Sequence, residues 1–165
     1  MNESKQKEML SDILCRVFEQ TAFLFPEKVD LLEGMSLDEF EMLSINLKFA
    51  GDREGETTLI IPVDLCRELA ANLLGEDPCD GTDREKCYDA AREMLNIITG
   101  QILTETFGEK ALFNLSSPQT SELARDAFFA GYEQGDYVCC TVDDYPIFAT
   151  MKLKEKIYEH QGTGC

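Results

Sequence analysis

One stretch of the chain, DAAREMLNIITG at residues 89–100, sets an acid, a second acid and an amide at helical spacing. Asp89, Glu93 and Asn96 stand at i, i+4 and i+7, so on a helix they share one line, which Gly100 extends. Asp89 and Glu93 could serve as paired carboxylates in a small-molecule hydrolase, although they lie one turn apart on one helix with no obvious means of separating their acidities. The plain alternative is a solvated helix face. Against it, Asn is a mediocre helix former and Gly costs about 1 kcal/mol relative to Ala. Their presence on one exposed line suggests close approach by a partner.

The line needs a helix to hold it. Cys87, Tyr88, Ala91, Met94, Leu95, Ile98 and Ile102 fall on the arc opposite Asp89, Glu93 and Asn96, which predicts an amphipathic helix ending at Gly108. Thr82-Asp83-Arg84-Glu85 offers a capping box at its start. Upstream, apolar spacing predicts a helix from about Lys5 to Phe25, with Pro26 as the stop. EFEMLSINLKFAG (39–51) alternates, with Leu43, Ile45, Leu47 and Phe49 on one face, and it forms a hairpin with TTLIIPV across GDREGE. VDLCRELAANLLGED reads as a short helix capped by Gly75, followed by the acidic loop EDPCDGTD. Three strands follow: ALFNLSS (111–117), YVCCTVD (137–143) and PIFATMKLK (146–154), with Asp144-Tyr145 in the tight connection between the last two. Segment 119–134 reads as a short helix or a loop, and the tail GTGC as frayed.

Parallel βαβ alternation is missing. The expected fold class is therefore α+β, a mostly antiparallel sheet with long helices packed on it. The chain of 165 residues reads as one domain, residues 1–165, with 1–25 an N-terminal helix and 155–165 a frayed tail.

Composition limits the partners. A formal net charge of −17 argues against nucleic acid, whose binding needs a basic surface to displace counterions. It also disfavours an anionic membrane surface. No apolar run is long enough to span a bilayer, and MNESKQKEML lacks the charged-then-apolar pattern of a signal segment, so a cytoplasmic protein is expected. The cysteines are Cys15, Cys66, Cys79, Cys87, Cys139, Cys140 and Cys165, with no CxxC among them. Cys139 and Cys140 should point to opposite faces of a strand. The set reads as reduced thiols acting as small hydrophobes, not as a disulfide framework. The only histidine, His160, stands apart from any ligand cluster, so no metal site is expected.

The pattern Asp89-x3-Glu93-x2-Asn96 with Pro118 downstream resembles the signature of the CheC/CheX/FliY chemotaxis phosphatases. The flanks VDLCRELAANLLGED and EMLNIITGQILTETFG are similar to the CheX branch, and the likeness spans about 40 to 154. The resemblance implies hydrolysis of the phosphoryl-aspartate of a CheY-like response regulator. It implies that Asn96 orients the attacking water and that Glu93 anchors to the regulator's active site. Asp89, Gly100 and Pro118 would then lie at the partner contact. It further implies no cofactor of the chain's own, Mg²⁺ supplied by the regulator, and a homodimer. The alternative is a non-catalytic binding module, CheC/FliM-like, docking on a receiver domain or a flagellar switch. In the shorter helix Asp64-x3-Glu68 is followed by Ala71, with Asn72 one residue late, so that helix reads as an inactive counterpart.

Overall fold

The computed structural model describes residues 2–29, 36–75 and 84–155. The acidic loop at 76–83, Thr82 and Asp83 of the capping box, Cys79, Cys165, His160 and the tail from 156 lie outside the described residues.

The chain opens with helix α1, Glu3–Ala22. Asn2 caps it by accepting from the Lys5 N–H at 2.9 Å. It ends before the expected Phe25. Phe23 adopts a left-handed conformation with φ 54° and its N–H bonds the Phe18 carbonyl, so the cap precedes Pro26. Strand β1, Glu27–Val29, follows, and later a single 3-10 turn at Leu37–Glu39. Strands β2, Met42–Gly51, and β3, Gly55–Pro62, form the expected hairpin with Ile45 opposite Leu59. Leu43, Ile45, Leu47 and Phe49 are all buried, as the alternation predicts. Helix α2, Val63–Leu74, ends at Gly75, whose φ of 67° suits glycine and whose N–H bonds the Ala71 carbonyl.

Helix α3 runs over Arg84–Phe107. The strand expected at 111–117 is the shorter β4, Phe113–Leu115, and a further strand, β5, Gln119–Glu122, follows it. Both pair with β2. Helix α4, Arg125–Glu133, comes next, so segment 119–134 contains a strand and a helix. The chain closes with β6, Val138–Val142, and β7, Tyr145–Leu153. Their turn is Asp143-Asp144, one residue earlier than expected. Both turn residues have positive φ, 46° and 68°, which matches the right-handed twist of the flanking strands.

The sheet order is β1-β6-β7-β3-β2-β4, with β5 also on β2, and every pairing is antiparallel. The expected α+β class is the one observed. Helices α1, α2 and α3 cover one face and enclose the main core, which includes Ile13, Val17, Phe18, Ile45, Leu59, Leu69, Met94 and Ile98. A smaller cluster of Leu37, Met42, Ile60, Phe128, Cys139 and Phe148 lies on the other face, under α4. Phe128 meets Phe148 edge-on at 4.8 Å between ring centroids. Because helices cover both faces here, Ile147, Phe148, Ala149 and Thr150 are all buried.

Candidate functional site

Helix α3 is the element that positions the polar line. Ala90, Ala91, Met94, Leu95, Ile98, Thr99, Ile102 and Leu103 bury its inner side. Thr99 is fully buried, and its hydroxyl meets that of Thr57 on β3 at 2.6 Å, which pins the helix to the sheet. The outer side carries Asp89 and Glu93, both exposed, and Asn96 and Gly100, both half-exposed. Helical geometry sets the Cβ atoms of Glu93 and Asn96 roughly 5–6 Å apart. Among the described residues neither side chain makes a hydrogen bond or ion pair. A carboxylate and an amide therefore stand ready, one turn apart, on a helix anchored along its length.

Asp89 behaves differently. Its carboxylate pairs with Arg92 on the same helix, which also lies 3.7 Å from Glu85. Arg92 donates a further hydrogen bond to the Thr120 hydroxyl at 3.2 Å. The arginine thus ties the start of the polar line to β5, which begins directly after Pro118. Sequence reasoning passed over Arg92. Its i, i+3 spacing from Asp89 was the available signal, but only the folded chain brings Thr120 beside it.

Pro118 is half-buried at the break between β4 and β5. The break is held on β2 by the Ser116 N–H to the Lys48 carbonyl at 2.8 Å and by the Lys48 N–H to Ser116 Oγ at 2.9 Å. Proline, which has no N–H, suits an interruption of the ladder. At Gly100 an added Cβ would meet nothing within 4 Å, so no contact within the chain requires glycine there.

The residues of α2 that echo the motif serve the fold. Asp64 pairs with Arg67. The Asn72 amide donates to the Ala22 carbonyl at 2.7 Å, securing the end of α1. Partial burial, and then the nearby Asp143, raise the Glu68 carboxyl above its ordinary range. No three His, Cys, Asp or Glu side chains among the described residues come together in a way that could hold a metal ion. No helix among them is long and apolar enough to cross a membrane.

This fold is shared with a known class of proteins. A CheC-like superfamily protein from Shewanella sp. PV-4 matches with a TM-score of 0.66 at 14% identity, covering 94% of this chain and 100% of the other. The chemotaxis protein CheX from Vibrio vulnificus matches with a TM-score of 0.65 at 15% identity, covering 90% and 96%. The CheX–CheY–BeF3–Mg²⁺ complex from Borrelia burgdorferi matches with a TM-score of 0.61 at 18% identity, covering 90% and 97%. Comparison with curated proteins gives no match. The fold is that of the CheC/CheX/FliY class of chemotaxis proteins. Residues 43–124, just under half of the chain, match the family model described as "Chemotaxis phosphatase CheX", in agreement with the resemblance to the CheX branch. The matched span runs from β2 through α3 to β5 and contains Asp89, Glu93, Asn96, Gly100 and Pro118.

Proposed function

We propose that this chain is a phosphatase acting on the phosphoryl-aspartate of a CheY-like receiver domain, with Asn96 and Glu93 as its working residues. The observation behind the reading is that these two side chains are accessible, one turn apart and uncommitted within the described chain, on the helix that the CheX family match spans. Docking α3 into a receiver would bring both to the phosphorylated site together. Asn96 would accept a hydrogen bond from the attacking water and donate one to a neighbouring oxygen, fixing the water in line with phosphorus. Amides are weak bases, but phosphoryl transfer depends chiefly on positioning and electrostatics. Glu93 would pair with a cation of the receiver and set the depth of insertion.

The related Borrelia burgdorferi complex contains CheX with CheY, BeF3 and Mg²⁺. By analogy the receiver would bring the Mg²⁺, whose charge would offset that of the phosphoryl oxygens. Asp89, Gly100 and Pro118 would border the contact. Asp89 would act through Arg92 as part of the support, and Gly100 would leave room for the partner's backbone. A homodimer belongs to the same proposal, and sedimentation of the purified chain tests it.

The deciding experiment follows decay of a phosphorylated CheY-type receiver with Mg²⁺ and the wild-type chain, Asn96→Ala or Glu93→Ala. Asn96→Ala should abolish acceleration yet still bind the receiver, and Glu93→Ala should weaken binding. Full activity of Asn96→Ala would overturn the assignment. Phosphate-dependent binding without turnover by the wild-type chain would favour the docking-module reading.

A further inference from the structure

Two sulfurs meet between α1 and the sheet. Cys15 Sγ lies 3.7 Å from Cys140 Sγ. Cys140 is fully buried on β6, while Cys15 is half-buried on α1. Lys28 stands directly opposite Cys140 in the β1–β6 ladder, so the two side chains share the face that α1 covers. Lys28 also pairs with Asp12, one helical turn before Cys15. β1 is the sheet's edge strand, which places the sulfurs one strand in from the rim.

We infer that Cys15 and Cys140 form a redox-active dithiol, which a hydroperoxide converts to a disulfide linking α1 to β6. The Cys15 thiolate attacks one peroxide oxygen. An S–O bond forms, the O–O bond breaks, and the departing alkoxide or hydroxide takes a proton and leaves as alcohol or water. Cys15 is then a sulfenic acid. The Cys140 sulfur next attacks the Cys15 sulfur; an S–S bond forms, the S–O bond breaks, and hydroxide leaves as water with the Cys140 proton. The two thiols lose two electrons and two hydrogens, and the peroxide gains them. A disulfide needs about 2.0 Å between sulfurs, so a small shift of α1 toward the sheet completes the bond.

The surroundings assign the roles. The hydrogen bond with Cys140, with help from Lys28 and against burial, Asp12 and Glu19, lowers the Cys15 thiol to about 7. The hydrogen bond with Cys15, and then burial, push the Cys140 thiol up. Cys15 is therefore the attacking thiolate and Cys140 the resolving thiol. Cys66 and Cys87 are both buried between α2 and α3 and serve as internal controls.

The test treats the full chain with hydrogen peroxide, blocks remaining thiols with an alkylating agent, and maps peptides by mass before and after reduction. A Cys15–Cys140 linked peptide is expected, reversed by a dithiol reductant and absent from Cys15→Ser. In Cys140→Ala, Cys15 should remain a sulfenic acid that a dione probe captures. Oxidation of Cys15 to the same product in wild type and Cys140→Ala, or no greater oxidation of Cys15 than of Cys66, would overturn the inference. Because Cys140 lies in the core, Lys28→Met gives a second test. It should slow alkylation of Cys15 at neutral pH several-fold, and an unchanged rate would refute the assisted thiolate.

Discussion

Replacing Thr99 with Val keeps the shape of a β-branched side chain and removes only the hydroxyl. The Thr57 hydroxyl, 1% exposed and bonded to Thr99 at 2.6 Å, would then be buried without its partner. An unsatisfied buried hydroxyl costs about 1–3 kcal/mol. Thr57→Val should cost a similar amount by leaving Thr99 unpaired. The double variant leaves neither hydroxyl stranded and sets two apolar groups in contact, so its net cost should be near zero. The cycle should therefore give a coupling of about 2–6 kcal/mol, the sum of the two single costs, with each single variant losing on the order of 1 M in urea midpoint and the double variant regaining it. Equilibrium urea unfolding followed by circular dichroism measures this directly. Additive costs in the double variant would refute the idea that the hydroxyl pair pins α3 to the sheet. The cycle also bears on function, since Thr99 lies one turn from Asn96. If Asn96 acts from a rigid helix, the double variant should retain receiver dephosphorylation well below its unfolding temperature.

Phe148→Ala, in the smaller core beneath α4, should cost about 3–5 kcal/mol in the same assay, because the ring is fully buried against Phe128 and Tyr132. Arg92→Gln should cost less than about 1 kcal/mol, as its ion pairs with Asp89 and Glu85 involve exposed carboxylates. Glu68→Gln should raise the thermal midpoint at neutral pH but leave it unchanged in acid. The raised carboxyl binds its proton more tightly folded than unfolded, so its penalty is absent below the ordinary carboxylate range and appears as pH rises through the folded value. Equal gains at both pH values would remove burial and Asp143 as the cause.

The sequence was most readable where one physical signal acted alone. The alternation in β2 and the 3.6-residue period in α3 each reflect a single buried face, and both placed their residues as observed. The Glu93 and Asn96 line was legible for the same reason. Strand β5 was hidden because QTSE is an edge segment on β2 with no apolar alternation to reveal it. In β7 both faces are covered, with α4 over the side that carries Phe148. The continuous run Ile147–Thr150 was the signal for burial on both sides. Arg92 escaped because its worth depends on Thr120, a contact made only by the folded chain.

The divided strand beside β2 has a further consequence. A ten-residue strand at the rim of a sheet is a template on which another chain can zip up and start a fibre. Here β4 and β5 occupy that rim as pieces of three and four residues, separated by a gap that ends in a proline. At the opposite rim, β1 likewise spans only three of the described residues. Neither border offers an invading strand a long unbroken ladder, and repulsion between chains each bearing −17 charges opposes their approach. The fold can thus present long, flat β2 and β3 strands internally while keeping its borders poor starting points for amyloid-like growth.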